Sequence, residues 1–145
     1  MRELYQEMIL EHHRNPRNYG KLASANRHAE GFNPLCGDRV TVYALVEGDV
    51  IRDLSFEGSG CAICIASCSL MTEALKGSKI DDAEALFGRF HDLVTDDSAT
   101  TDGLDKLAVF EGVREFPVRV KCATLPWHAL RAAIHQTVRQ SVSTE

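Results

Sequence analysis

Residues 39–57 read RVTVYALVE, then Gly48-Asp49, then VIRDLSFE. Two runs rich in β-branched residues on either side of a Gly-Asp pair predict a β-hairpin, 39–47 with 50–57. Directly after it, Gly58-Ser59-Gly60 breaks the pattern, and the apolar spacing changes to that of a helix from Ala62 to Lys76, with Gly77 as its C-terminal cap. Working outward, His28 to Phe32 adds an edge strand, and residues 3–14 carry Leu4, Met8 and Ile9 at helical spacing up to Asn15-Pro16. Downstream, a helix is expected over 81–94, opened by Asp81-Asp82, whose charges suit a helix N-terminus. An exposed loop follows at 95–103, then a helical turn near 103–111 and an extended piece at 116–121. Thr124 is the expected N-cap of a last helix from Leu125 to Arg139, with Leu130, Ile134 and Val138 inward. The sum is an α+β fold, one domain over 1–145, with a small antiparallel sheet of about three strands and helices packed on one side.

A chain of 145 residues buries about 68–70% of its unfolded surface, so it needs no metal merely to fold. A 44% hydrophobic content is that of a soluble globular protein, and no apolar run reaches membrane-spanning length. The net charge of −5 and the lack of a basic stripe argue against nucleic acid as the main partner. The N-terminus, Met1-Arg2-Glu3-Leu4, has no signal-peptide pattern. An odd count of five cysteines then points to reduced thiols in a cytoplasmic protein, and away from a disulfide framework.

Three of those cysteines sit where a loop meets a regular element: Cys36 in Cys36-Gly37-Asp38, Cys61 after Gly58-Ser59-Gly60, and Cys122 in Lys121-Cys122-Ala123-Thr124. Three thiolates and one carboxylate are the right groups to close a tetrahedral shell around zinc, or to hold an iron–sulfur cluster. Gly37 permits a tight turn that aims the Cys36 sulfur and the Asp38 carboxylate at one point. Cys61 and Cys122 both precede expected helices, whose N-termini favour thiolate over thiol, and Lys121 acts on Cys122 in the same sense. Spacing alone leaves buried packing open as the alternative, because no short CxxC…CxxC pair fixes a site. Cys64 and Cys68 share one helix face with Cys61 but stand among Ile65, Ala66 and Leu70, and are assigned to the core. His12 and His13 close the first helix as a polar cap or surface contact, and His128 and His135 suit surface or packing roles. The acidic run Asp92, Asp96, Asp97, Asp102 and Asp105 is a solvated face.

The motifs Asn33-Pro34-Leu35-Cys36-Gly37-Asp38, Gly58-Ser59-Gly60-Cys61-Ala62-Ile63 leading into Ala66 to Glu73, and Lys121-Cys122-Ala123-Thr124-Leu125 resemble the SufU/IscU (NifU N-terminal-like) family of iron–sulfur cluster assembly proteins. The opening Tyr5…Ile9-Leu10-Glu11-His12 and Asn15 to Gly20 are similar to that family too. The resemblance implies an α+β fold with Cys36, Asp38, Cys61 and Cys122 clustered as metal or cluster ligands. Lys121 stands where the IscU branch has histidine, the stretch from Cys61 to Cys122 is long, and Phe116-Pro117-Val118-Arg119 only echoes the IscU chaperone-docking motif. All three features resemble the SufU branch. The implied function is zinc-dependent acceptance of persulfide sulfur from a cysteine desulfurase, with Cys36 as acceptor and downstream iron–sulfur assembly proteins or apoproteins as recipients. Cys36 would leave zinc temporarily while a ligand from the partner fills the gap, and Arg119 is a candidate supporting cation. The protein would then be a sulfurtransferase-like partner and not a stand-alone enzyme. The alternatives are a scaffold holding iron or a labile cluster on the same four residues, and a binding domain with purely structural zinc.

Overall fold

The computed structural model describes residues 3–135 and the backbone of 141–143. Three antiparallel strands, β1 (Arg27–Asn33), β2 (Asp38–Glu47) and β3 (Val50–Ser59), form the expected sheet. A short fourth strand, β4 (Ser141–Ser143), pairs parallel to β1, giving the order β3-β2-β1-β4, so β1 is paired on both sides and is not the edge strand expected of it. The hairpin alternates as its sequence predicts: Val40, Val42, Ala44 and Val46 are buried while the residues between them are more open. One irregularity was not legible. The register slips between Leu45 and Val46, so that Arg52 is the extra residue on β3. That bulge lets both Leu54 and Ile51, an odd number of residues apart, face the core.

Among the described residues, four helices and a 3-10 stretch accompany the sheet: α1 (Glu3–Arg14), α2 (Ala62–Leu75), α3 (Ile80–Thr95), the 3-10 stretch Asp105–Glu115, and α4 (Pro117–Ile134). α2 is almost wholly buried, which explains why its apolar residues lack a single stripe. Its polar residues are each satisfied. Ser67 Oγ donates to the Ala123 carbonyl at 2.6 Å and accepts from Trp127 Nε1 at 3.1 Å, joining α2 to α4. Ser69 Oγ lies 2.7 Å from His12 Nδ1 and accepts the Arg17 N–H at 2.9 Å, joining α2 to α1 and its following turn. His12 is therefore a buried packing residue and not the surface cap expected of it. Cys64 and Cys68 lie fully buried in the same core, and the hydrogen bond with the Cys68 thiol, together with burial, pushes the Cys64 thiol far up.

The main correction concerns α4. Residues 116–121, expected to be extended, are mostly its first turns, and Pro117 holds the first helical position, where its fixed φ and missing N–H do no harm. Thr124 is not a cap. Its hydroxyl bonds back to the Val120 carbonyl at 3.0 Å. Pro126 lies inside the helix and removes the N–H that would meet the Cys122 carbonyl. Thr124 and Pro126 together imitate a helix start, which misplaces the N-terminus by two turns. Leu130 and Ile134 are buried as expected, while Val138 and Arg139 lie outside the described residues. α4 crosses β1 closely: a Cβ at Gly31 would stand 3.0 Å from Leu125 Cδ1. This crossing carries Cys122 to the end of the sheet where β1 turns into β2.

Candidate metal centre

The β1–β2 turn is built around Asn33, the last residue of β1. Its carbonyl accepts the N–H groups of Cys36 at 3.3 Å and Gly37 at 2.8 Å, and its Oδ1 accepts the Leu35 N–H at 3.1 Å. Gly37 sits at φ +72°, the left-handed conformation that glycine adopts without strain. The turn leaves Cys36 exposed and returns the chain into β2 at Asp38, whose side chain is fully buried. Cys61 is the N-cap of α2. Its sulfur accepts the Cys64 N–H at 3.4 Å, and its own N–H donates to Asp38 Oδ1 at 2.9 Å.

These elements meet at one end of the sheet. Cys36 Sγ and Cys122 Sγ are 3.4 Å apart, and Cys61 Sγ is 3.8 Å from Asp38 Oδ2. One ligating atom from each of Cys36, Asp38 and Cys122 lies within 4.8 Å of the others. Cys61 stands outside that group of three and adjoins it through Asp38 Oδ2. Three sulfurs and a carboxylate oxygen fit zinc in number and kind. Asn33, which sequence reasoning did not single out as functional, is buried and points Nδ2 at Cys122 Sγ, 3.7 Å away. A buried asparagine at a strand end just before proline is a turn signal that could have found it.

The thiols are not equivalent. The hydrogen bond from Cys122 lowers Cys61 from the ordinary thiol value of 9.0 to about 7, helped by the Cys64 and Ile63 N–H groups and opposed by burial. Here the expected effect of a helix start holds. Cys122 behaves in the opposite way to the sequence expectation. It lies inside α4, and its hydrogen bond to Cys61, together with burial, pushes its thiol well up. Of the two, Cys61 is therefore the thiol that loses its proton first as the pH rises, and Cys122 the one that keeps it longer.

An open cleft of about 590 Å³ faces the three sulfurs. Its wall is apolar, with Ile9 and Leu10 of α1, Ile63 of α2, and Phe116 and Val118 at the start of α4. Leu10, Phe116 and Val118 are solvent-exposed, and Leu35 stands exposed beside Cys36. Arg119 is exposed at the cleft, with its guanidinium 4.6 Å from the centre of the Phe116 ring. The histidines of α4 lie elsewhere: His128 packs edge-on against Phe87, and His135 Nε2 meets Glu84 Oε1 at 2.7 Å. Asp92, Asp96, Asp97, Asp102 and Asp105 are exposed, as expected of a solvated face.

A sequence profile of the NifU-like N-terminal domain matches residues 4–122. The chain is similar to the zinc-dependent sulfurtransferase SufU of Bacillus subtilis, with 40% identity over 90% of this chain and 89% of that protein. It is also 32% identical to the iron–sulfur cluster assembly scaffold protein IscU of Streptococcus pyogenes, over 100% of this chain and 91% of the other. Among solved structures, FiSufU of Fervidobacterium islandicum superposes with a TM-score of 0.83 at 35% identity, covering 88% of this chain and 94% of that one.

Proposed function

Because the chain belongs to the NifU-like N-terminal domain family, we propose that it is a zinc-binding sulfur-transfer protein that takes persulfide sulfur from a cysteine desulfurase. It would hand that sulfur on to iron–sulfur assembly proteins or apoproteins. The observation that carries this reading is the contrast among the thiols. Cys36 and Cys61 are both exposed and Cys122 is buried beside Asn33, but Cys61 is held as a helix cap and by its N–H bond to Asp38, while Cys36 stands on a glycine turn beside an open cleft.

Cys36, Asp38, Cys61 and Cys122 are the residues that would hold zinc. When bound, zinc keeps the sulfurs deprotonated and shields them from stray oxidation. The protein side of the transfer falls to Cys36. Its thiolate attacks the outer sulfur of the desulfurase persulfide; the new S–S bond forms on Cys36, and the old one breaks with its electron pair left on the desulfurase thiolate. No net oxidation or reduction accompanies this exchange, so no further co-reactant is needed. Arg119 at the cleft offers a cation to the incoming persulfide anion. The exposed apolar residues Leu10, Leu35, Phe116 and Val118 suit a protein partner better than a small polar ligand. Free thiols that must stay reduced suit work in the cytoplasm, with the protein acting as a partner of the desulfurase and not alone.

One observation favours a second reading, a scaffold on which a cluster is built. Asp38 contributes an oxygen, a hard ligand that holds soft cluster iron weakly and would make the cluster labile. Metal and sulfide analysis of protein purified without oxygen separates the two. About one zinc per chain supports the sulfur-transfer reading, as a four-ligand site requires. Stoichiometric iron and sulfide without zinc contradicts it and supports the scaffold.

A further inference from the structure

Gly60, just before Cys61, has a φ outside the left-handed region that favours glycine. Its lack of a side chain thus has another cause. A Cβ at this position would stand 2.6 Å from Asp38 Oδ1, 3.1 Å from its Cγ and 3.2 Å from its Cβ. All three nearest atoms belong to one side chain, that of Asp38, which is fully buried, and its Cβ, fixed by the backbone of β2, is among them. The space a methyl group would take at Gly60 is the space the carboxylate occupies. There the Cys61 N–H fastens Oδ1 at 2.9 Å, and Oδ2 is turned toward the thiols, 3.8 Å from Cys61 Sγ.

We propose that Gly60 is a positioning residue for Asp38: its missing side chain is the slot in which the carboxylate lies, with one oxygen tied to the Cys61 amide and the other presented to the thiol pocket. The proposal rests on the reading of Asp38 as a metal ligand and deepens it. A carboxylate with one oxygen already bonded offers a single oxygen to a metal and chelates poorly through both. It also couples two ligands, because any displacement of Asp38 frees the amide of Cys61.

The test is a double-variant cycle of wild type, Gly60→Ala, Asp38→Ala and the two together. Zinc affinity is measured by chelator competition, and hydrogen exchange at the Cys61 amide is measured in the metal-free protein. Gly60→Ala should weaken zinc binding by about 10–100-fold, the range found when a partner that orients a metal ligand is lost. It should also speed Cys61 amide exchange by about fivefold or more as that hydrogen bond opens. In the Asp38→Ala background, where no carboxylate remains to collide, Gly60→Ala should change neither quantity by more than about twofold. Equal losses in both backgrounds would overturn the proposal, as would a Gly60→Ala protein indistinguishable from wild type. Should Gly60→Ala fail to fold, a folded double variant supports the proposal and an unfolded one overturns it. Wild-type protein that binds no zinc would sink the metal reading alone, with the amide-exchange cycle still deciding for or against the slot.

Discussion

Replacing Cys122 by alanine removes the thiol whose hydrogen bond does most to hold Cys61 down at about 7. Without it, the Cys64 and Ile63 N–H groups remain, while burial pulls the other way, so Cys61 should move back toward the ordinary value of 9.0. At pH 7 a thiol with a pKa of about 7 is about half thiolate, and one with a pKa of about 9 is about 1% thiolate, a ratio of about fifty. The stronger base is the better nucleophile, and a Brønsted slope of about 0.45 over about two pH units returns about eightfold of that loss. The net expectation is that alkylation of Cys61 at pH 7 slows by up to about sixfold, with its pH–rate midpoint moving upward. The assay is iodoacetamide labelling of metal-free, reduced protein across pH 6–10, with the modified cysteines assigned by peptide mass spectrometry. Upward movement of the midpoint confirms that Cys122 holds the proton for Cys61. A Cys61 midpoint unchanged in the Cys122→Ala protein, or moved downward, would refute the reasoning.

Two further outcomes test the frame that brings the thiols together. Ser67→Ala strips the buried Trp127 Nε1–H of its acceptor and deletes the bond to the Ala123 carbonyl. It should cost about 2–4 kcal/mol in urea unfolding of the metal-free protein, and a loss below about 0.5 kcal/mol would contradict this account of the α2–α4 junction. Burial, reinforced by the Arg17 charge, lowers the His12 pKa below its ordinary 6.5. A group depressed on folding lends stability above its unfolded pKa and loses it as the pH falls, so the metal-free protein should weaken between pH 7.5 and pH 5. His12→Asn keeps an acceptor near Ser69 without the titrating ring and should flatten that decline; an unaltered slope would remove His12 from the explanation.

Much of this structure is written plainly in the chain, and the failures have identifiable causes. The hairpin over 39–57 is legible because one face is buried and the alternation is strong, yet the bulge at Arg52 is not, since only the packing of Ile51 and Leu54 together demands it. The start of α4 is missed because Val118, Val120 and Phe116 look extended in isolation, and because Thr124 with Pro126 mimics a helix start. Tertiary burial of Cys122, Leu125 and Trp127 overrides that local preference. At the site, the turn glycine beside Cys36 and the cap position of Cys61 are readable locally. The 3.4 Å approach of Cys36 to Cys122 spans 86 residues and depends on α4 crossing β1 at Gly31, which no local pattern announces. Gly60 is hidden for the same reason, and so is the approach of Asn33 to Cys122, although the turn at Asn33-Pro34 is itself readable.

The claim at the centre of this account is that Cys36 accepts sulfur. Zinc-loaded protein is mixed with a cysteine desulfurase and L-cysteine, quenched with an alkylating agent, and each cysteine-bearing peptide is weighed. The account predicts one additional sulfur on the Cys36 peptide and its loss in the Cys36→Ala protein. Additional sulfur carried by Cys61 or Cys122 instead, or by none of the cysteines while the desulfurase itself is charged, would contradict it.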